Sequence, residues 1–392
     1  MHINGLCINH VRNGDVTGAF LASLGHMQGH GCTVAAMGVS SEPDVAAPFY
    51  RDAIPRPLLS VAYRTATFSL LAKLAERRYL SAFDGEDVAV LWPATSVDVW
   101  RALRARGATV VAEKVNSHDA AGKAILEAER DRAGFDAQSP ITDANVAHER
   151  EVLALSDFVY CSNPLAHASL VEHGIPSEKI LDVTYGVHAR HVLDEVPAVR
   201  HGPDEPLTVL YVGKIGLRKG VHRLIEAWRR AKPNARLRLV GKIEAPMEAF
   251  IAEHLGRDGI EHIPFVDDPH PLFRAADVFA CPTLEDGGPI VTLEAFAAGL
   301  PVLASPYAAG WVLRDDVEGL IADPYDVDAW AEALTTLCED AALRDRLGRA
   351  ALERARRYTW DKVGAHRRDV LAAALAERAG TRASGEFHIT GR

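Results

Sequence analysis

Short apolar runs alternate with longer amphipathic stretches along the first half of the chain. VAVLWP (88–93) leads into SVDVWRALRARG, TVVAEKV (109–115) follows, and FVYCS (158–162) leads into PLAHASLVEHG. Apolar runs this short predict buried strands, and the amphipathic stretches predict helices. Their alternation predicts a parallel sheet covered by helices on both faces. ILDVTYGV (180–187) is the expected last strand of this unit.

A polar, proline-containing segment, HVLDEVPAVRHGPDEP (191–206), then breaks the pattern and reads as a linker. The rhythm restarts with LTVLYVGKIG (207–216), the helix VHRLIEAWRRA and the strand LRLVG (237–241), followed by HIPFV, VFACP and PVLAS. A chain of 392 residues fits two domains better than one. Two successive α/β units of this kind imply two doubly wound domains facing across a central cleft, with ligands beyond the carboxyl ends of the strands. The tail GTRASGEFHITGR (380–392) is expected to be weakly ordered.

Composition narrows the class of partner. With 48% hydrophobic and 24% charged residues the chain has an ordinary soluble globular make-up. A formal charge of -10 without a long basic run disfavours nucleic acid, which needs a concentrated cationic footprint. Cys7, Cys32, Cys161, Cys281 and Cys338 show no CxxC spacing and read as reduced core residues. No apolar run approaches the roughly 20 residues of a membrane span, and the N-terminus lacks a secretory pattern, so a cytoplasmic protein is expected. Residues 51–80 hold six Lys or Arg against two acids; a core helix with basic edges is expected there rather than peripheral contact with a membrane.

The chemistry concentrates in LEDGGPIVTLEAFAAGLPVLAS (284–305). From Gly287 to Leu313 the only charged side chain is Glu294. Gly287, Gly288 and Pro289 predict a helix start, and Gly299 with Pro301 predict its end. The N–H groups near Pro289, Ile290 and Val291, at the positive end of the helix dipole, would form an anion site. Asp286 stands just before that end. Glu294, one turn inside, would be a cleft-facing acceptor for ligand hydroxyls. In VGKIGLRKGV (212–221), Lys214 follows a strand and Lys219 comes five residues later, with Gly213, Gly216 and Gly220 allowing close backbone approach. Two ammonium groups on such a loop suit a diphosphate.

Together, in this order and separation, VGKIGLRKGVHRLIEAW and CPTLEDGGPIVTLEAFAAGLPVLAS resemble the retaining glycosyltransferases of family 4, which have the GT-B fold of two facing Rossmann-like domains. Agreement continues through ADPYDVDAWAEALTTLCEDAALRDRLGRAALERARRYTW and back through CSNPLAHASLVEHGIPSEKILDVTYGV to about residue 150. The resemblance implies an acceptor-binding domain over 1–195, completed by a C-terminal helix over 360–379, and a nucleotide-sugar-binding domain over 205–359. Lys214, usually Arg in the family, and Lys219 would bind the donor's diphosphate. Glu294 would hold the ribose hydroxyls. Asp286, where the family usually has Glu, would touch the donor sugar, with Glu285 the alternative holder. Gly213, Gly287, Gly288 and the backbone of Pro289, Ile290 and Val291 would complete the donor site. In the first domain GHGCTVAAM (29–37) resembles the family's second strand. Gly14 lies near the usual glycine-rich turn, although the customary Gly-Gly is missing. His118 is the candidate for the cleft histidine that contacts the donor sugar. His118, Lys214, Lys219 and Asp286 form the implied catalytic set.

The activity so implied is retaining transfer of a hexosyl group from a UDP- or GDP-type nucleoside-diphosphate sugar to a hydroxyl of a small-molecule, glycan or lipid-linked acceptor, with neither a metal nor another cofactor. DVD (326–328) matches a metal-binding Asp-x-Asp pattern but reads as a capped helix start. The first strand lacks a true G-x-G-x-x-G, which disfavours a dinucleotide dehydrogenase. The alternatives are a nucleotide-sugar epimerase or a phosphorylase of the same fold, or a non-catalytic GT-B partner subunit.

Overall fold

The computed structural model describes residues 1–12, 16–45, 47–85, 87–135, 139–197, 200, 205–288 and 290–386. Its strands are β1 (His2–Val11), β2 (Thr33–Ser41), β3 (Tyr50–Asp52), β4 (Val88–Leu91), β5 (Thr109–Lys114), β6 (Phe158–Cys161) and β7 (Ile180–Asp182), then β8 (Leu207–Val212), β9 (Ala235–Val240), β10 (Ile260–Ile263), β11 (Val278–Cys281), β12 (Val302–Ala304) and β13 (Gly319–Ile321). The first seven form one sheet in the order β3-β2-β1-β4-β5-β6-β7, and the other six form a second in the order β10-β9-β8-β11-β12-β13. All pairings are parallel. Every residue of β4, β6 and β11 is buried, as strands covered on both faces require. In each sheet the order reverses beside the first strand, at β1/β4 and at β8/β11, and a crevice at such a point is where ligands of doubly wound sheets bind.

The strands expected at 88, 109, 158, 207, 237, 278 and 302 are all present. β7 stops at Asp182, short of the run that extends to Val187. The reason is a competing partner: Val187 N–H donates to the Tyr358 carbonyl at 2.9 Å, and Trp360 N–H donates back to Val187 at 3.1 Å. The C-terminal helix that starts there, Trp360–Glu386, places Trp360, Val363 and Leu371 in one apolar cluster with Ile3, Cys7, Phe20 and Leu24. This helix thus packs on the first sheet's helical layer. The helix runs to Glu386, seven residues past 379; 387–392 lie outside the described residues. All five cysteines are buried and unbridged.

Residues 56–82 depart from the expected core helix. They form a single 3-10 turn and two helices, Leu59–Thr65 and Phe68–Ala82. The longer helix buries Leu71, Ala72, Ala75 and Tyr79, yet its other face leaves Phe68, Leu70 and Leu74 in solvent. No described helix is long and apolar enough to cross a membrane.

One buried ion pair ties the C-terminal helix to β5. Both oxygens of the Glu113 carboxylate take the Arg367 guanidinium, Tyr185 donates to the same group at 3.1 Å, and the guanidinium stacks 4.5 Å from the Tyr160 ring centre. Both charged side chains are 1% exposed. A buried charge without its partner is strongly destabilising, whereas a matched apolar pair is tolerated. Arg367→Met should therefore lower stability to urea by about 3–5 kcal/mol, and adding Glu113→Gln should recover much of the loss. A single variant as stable as the parent protein would show that this pair does not anchor the helix.

Candidate active site

The reversal of strand order between β8 and β11 brings two loops together, 213–220 and 282–288. Gly220 makes this contact feasible: its φ is +66°, and a Cβ there would lie 2.1 Å from the Pro282 carbonyl oxygen. Leu284 N–H donates to the Arg218 carbonyl at 2.9 Å, and Ser305 Oγ donates to the Thr283 carbonyl at 2.6 Å. In this frame the Lys219 ammonium meets Asp286 Oδ2. Asp286 Oδ1 accepts the N–H groups of Gly287 at 2.9 Å and Gly288 at 3.3 Å. Burial pushes the Asp286 carboxyl up, but Lys219, Arg218 and the Gly287 N–H outweigh it, so the group sits below the usual aspartate range.

The opposite wall of the cleft is the segment that leaves β5, Val115 to His118. Glu285 is fully buried and accepts from Ser117 N–H at 2.8 Å and from Ser117 Oγ at 2.7 Å. Arg218 Nη1 donates to Glu285 Oε2 at 3.3 Å and to Asn116 Oδ1 at 3.0 Å. Gly287 lies against the same segment; a Cβ on it would sit 2.1 Å from the Val115 carbonyl oxygen. Asn163 Nδ2 donates to the Tyr307 carbonyl at 2.8 Å. A second anchor joins the domains farther out. There Glu129, on the helix Asp119–Ala133, pairs with His222 at 2.6 Å and Arg223 at 2.7 Å on the helix Val221–Ala231. Against the effect of burial, these two partners bring the Glu129 pKa down to about 2.

Of the residues singled out by sequence, Lys219, Asp286, Gly287 and Gly288 are gathered at this junction. Ile290 and Val291 open the helix Ile290–Ala297, whose first N–H groups have no intrahelical partner. Glu294 is half-buried in that helix, and no hydrogen bond or ion pair joins its carboxylate to another described residue. Burial, and then the charge of Asp268, raises its pKa to about 7. Gly213 follows β8 with φ +151°, its N–H bonded to the Val240 carbonyl at 2.9 Å. Lys214 is exposed. Its carbonyl accepts from Tyr211 Oη at 2.6 Å, while its ammonium pairs with no described acid. Gly14 and Pro289 lie outside the described residues.

His118 is next to Ser117 in the chain, but its ring is turned into the first domain. The ring is 2% exposed and stacks on His173 with centroids 4.1 Å apart. Nδ1 accepts the Ala120 N–H and caps the following helix, and Nε2 lies 3.5 Å from Glu149. Burial, then His173 and Lys114, lower its pKa to about 4. Asp326 caps the helix Val327–Glu339 through the Ala329 N–H, and Asp328 pairs with Arg230, so DVD is a helix start. Among the described residues no group of three or more His, Cys, Asp or Glu is placed to hold a metal ion. Sequence reasoning passed over Arg218, Asn116 and Ser117. Arg218 stands inside VGKIGLRKGV between the two lysines, and nothing in that string tells which cation points at the facing domain.

Residues 194–354 match the family described as glycosyl transferases group 1. A D-inositol 3-phosphate glycosyltransferase of Xylanimonas cellulosilytica is 31% identical over 260 residues, which is 61% of this chain and 62% of that protein, so the match spans under two thirds of the relative's length. Among solved structures, sucrose-phosphate synthase from Thermosynechococcus elongatus superposes with a TM-score of 0.69 at 18% identity, over 96% of this chain and 99% of that one. Anabaena HepE in complex with UDP and glucose gives 0.67 at 15% identity, over 95% and 100%. At such identities the structural likeness shows the fold, two facing Rossmann-like domains of the GT-B type. The chain carries the GT-B fold, and its residues 194–354 are similar to the glycosyl transferases group 1.

Proposed function

We propose that the protein moves a hexosyl group from a UDP- or GDP-type nucleoside-diphosphate sugar to an acceptor hydroxyl, with retention of anomeric configuration and without a metal ion. The observation that carries this reading is the Lys219–Asp286 pair at the β8/β11 crevice, close in sequence to the start of the helix Ile290–Ala297 and next to Glu285, which Ser117 of the first domain holds. When the bond from the anomeric carbon to the leaving oxygen breaks, negative charge collects on the diphosphate. Lys219 and the free N–H groups of the helix start are already in place to meet that charge, and preorganised donors of this kind lower the barrier. Asp286 takes a sugar hydroxyl, and Glu294 accepts from the ribose hydroxyls. The acceptor enters from the first domain, whose strand ends form the other wall. Its hydroxyl attacks the face that the diphosphate leaves and gives its proton to the departing diphosphate oxygen, which preserves configuration. The HepE complex with UDP and glucose supports a nucleotide-sugar donor.

Release of nucleoside diphosphate should require an acceptor and should persist in a chelator. Lys219→Ala should lower turnover by about two orders of magnitude, the scale seen when one stabiliser of transition-state charge is removed. Wild-type turnover in a correctly folded variant, or activity abolished by chelation and restored by magnesium or manganese, would contradict the lysine-based mechanism. Fast release without any acceptor would instead favour the epimerase reading.

Glu294 adds a pH dependence. Only its ionised form accepts from two hydroxyls, and its pKa is raised to about 7. Donor affinity should therefore rise by about tenfold between about pH 6 and about pH 8, then level off. The esterified diphosphate of a sugar nucleotide does not titrate in that range, so the dependence belongs to the protein, and Glu294→Gln should flatten it. Stability runs the other way. The folded state holds this proton more tightly than the unfolded chain, so its contribution falls as pH rises from the ordinary glutamate range through about 7. Calorimetric titration at several pH values checks the affinity, and an unchanged slope in Glu294→Gln would remove Glu294 from the donor site.

A further inference from the structure

We propose that the outward face of residues 56–80 docks this protein on an anionic lipid bilayer surface. Leu58, Tyr63, Phe68, Leu70 and Leu74 are between 39% and 59% exposed, and they make up five of the eleven large apolar side chains exposed among the described residues. Their crowding into one short stretch sets it apart from scattered surface apolar residues, which need no explanation. On the helix Phe68–Ala82, Leu70, Lys73, Leu74 and Arg77 share one face through i,i+3 and i,i+4 spacing, while Leu71, Ala72, Ala75 and Tyr79 occupy the buried side.

The charges on this face are of one sign. Arg56, Arg64, Lys73, Arg77 and Arg78 are exposed, and the sole acid between 56 and 80, Glu76, is buried and accepts the Ser96 N–H at 2.8 Å. Arg56 lies 3.4 Å from Asp52, and Arg78 donates to the Ala53 carbonyl. Arg64, Lys73 and Arg77 make no ion pair with any described acid. On a chain of net charge -10, a face that carries only cations is complementary to an acidic partner.

The interleaving of apolar side chains with long cations selects a bilayer over a protein. The centre of a protein interface is depleted of charge. A helix lying in a membrane interface instead sinks leucine and phenylalanine to the acyl boundary, while Lys and Arg stems reach back to the phosphates. The face is also tied to the first sheet. Tyr63 Oη and Ser40 Oγ share a hydrogen bond of 2.8 Å, and His10 Nδ1 meets the same hydroxyl at 2.7 Å, at the carboxyl ends of β1 and β2.

Sedimentation with vesicles tests the proposal directly. The full chain should pellet with vesicles of mixed phosphatidylcholine and phosphatidylglycerol, bind pure phosphatidylcholine far less, and be released by added salt, which screens exposed charges. Leu70→Glu with Leu74→Glu, and separately Arg64→Glu with Lys73→Glu, should each weaken vesicle binding by about tenfold or more while circular dichroism stays unchanged. Because these positions are exposed, folding should be unaffected. As a second readout in an otherwise native chain, Leu70→Trp should show a blue-shifted emission on addition of the mixed vesicles. Failure of the parent protein to bind mixed vesicles at low salt would overturn the proposal. So would equal binding by both double variants, or binding to polyglutamate but not to vesicles.

Discussion

A buried carboxylate shared across the cleft, that of Glu285, ties the two domains together. It is fully buried, and a buried charge without hydrogen bonds is too costly to persist. Its partners come from both sides of the cleft: the Ser117 N–H and hydroxyl from the first domain, Arg218 from the second. Satisfying Glu285 therefore requires the domains to meet at this point. The glycine that follows closely in sequence, Gly287, lets the Val115 backbone approach at a distance that any side chain would forbid. Glu129 with His222 and Arg223 repeats the principle at a second place, with another buried acid shared across the boundary.

Adjacent acids consequently face different tasks. Glu285 is committed to the opposite domain, and Asp286 turns to Lys219 and the start of the helix Ile290–Ala297. Gly287 lets this loop lie against the Val115 backbone while the Asp286 carboxylate next to it meets the Lys219 ammonium. Farther along the same helix, Glu294 has no partner among the described residues, and burial with the Asp268 charge raises its pKa. A carboxylate kept half-buried and unpaired is costly to the fold, and it is suited to a ligand that brings hydroxyl donors.

The sheets were legible because buried parallel strands are written as short apolar runs, and nearly every such run became a strand. β3 (Tyr-Arg-Asp) holds no apolar run and β13 (Gly-Leu-Ile) only two apolar residues, so neither carries a pattern to be recognised. Within the site, Lys219 and Asp286 stood out because glycines and a helix start surround them. The direction of a loop side chain is not encoded by periodicity, however, and so Lys214 is left in solvent while Arg218 reaches Asn116. Nor could the Ser117–Glu285 contact be read from a string in which its partners are 168 residues apart. His118 shows the same limit. Its position at the end of β5 is legible, but its ring serves as a helix cap packed on His173, a choice made by tertiary packing.

The division of labour between Glu285 and Asp286 is best tested by comparing Asp286→Asn with Glu285→Gln in the affinities for a sugar nucleotide and for the corresponding free nucleoside diphosphate. If Asp286 holds the sugar, Asp286→Asn weakens sugar-nucleotide binding more than diphosphate binding, because the free diphosphate offers no sugar hydroxyl. Glu285→Gln should leave the ratio of the two affinities unchanged and lower turnover through the looser junction with Ser117. The opposite pattern, a changed ratio in Glu285→Gln and none in Asp286→Asn, would place the sugar contact on Glu285 and contradict the account.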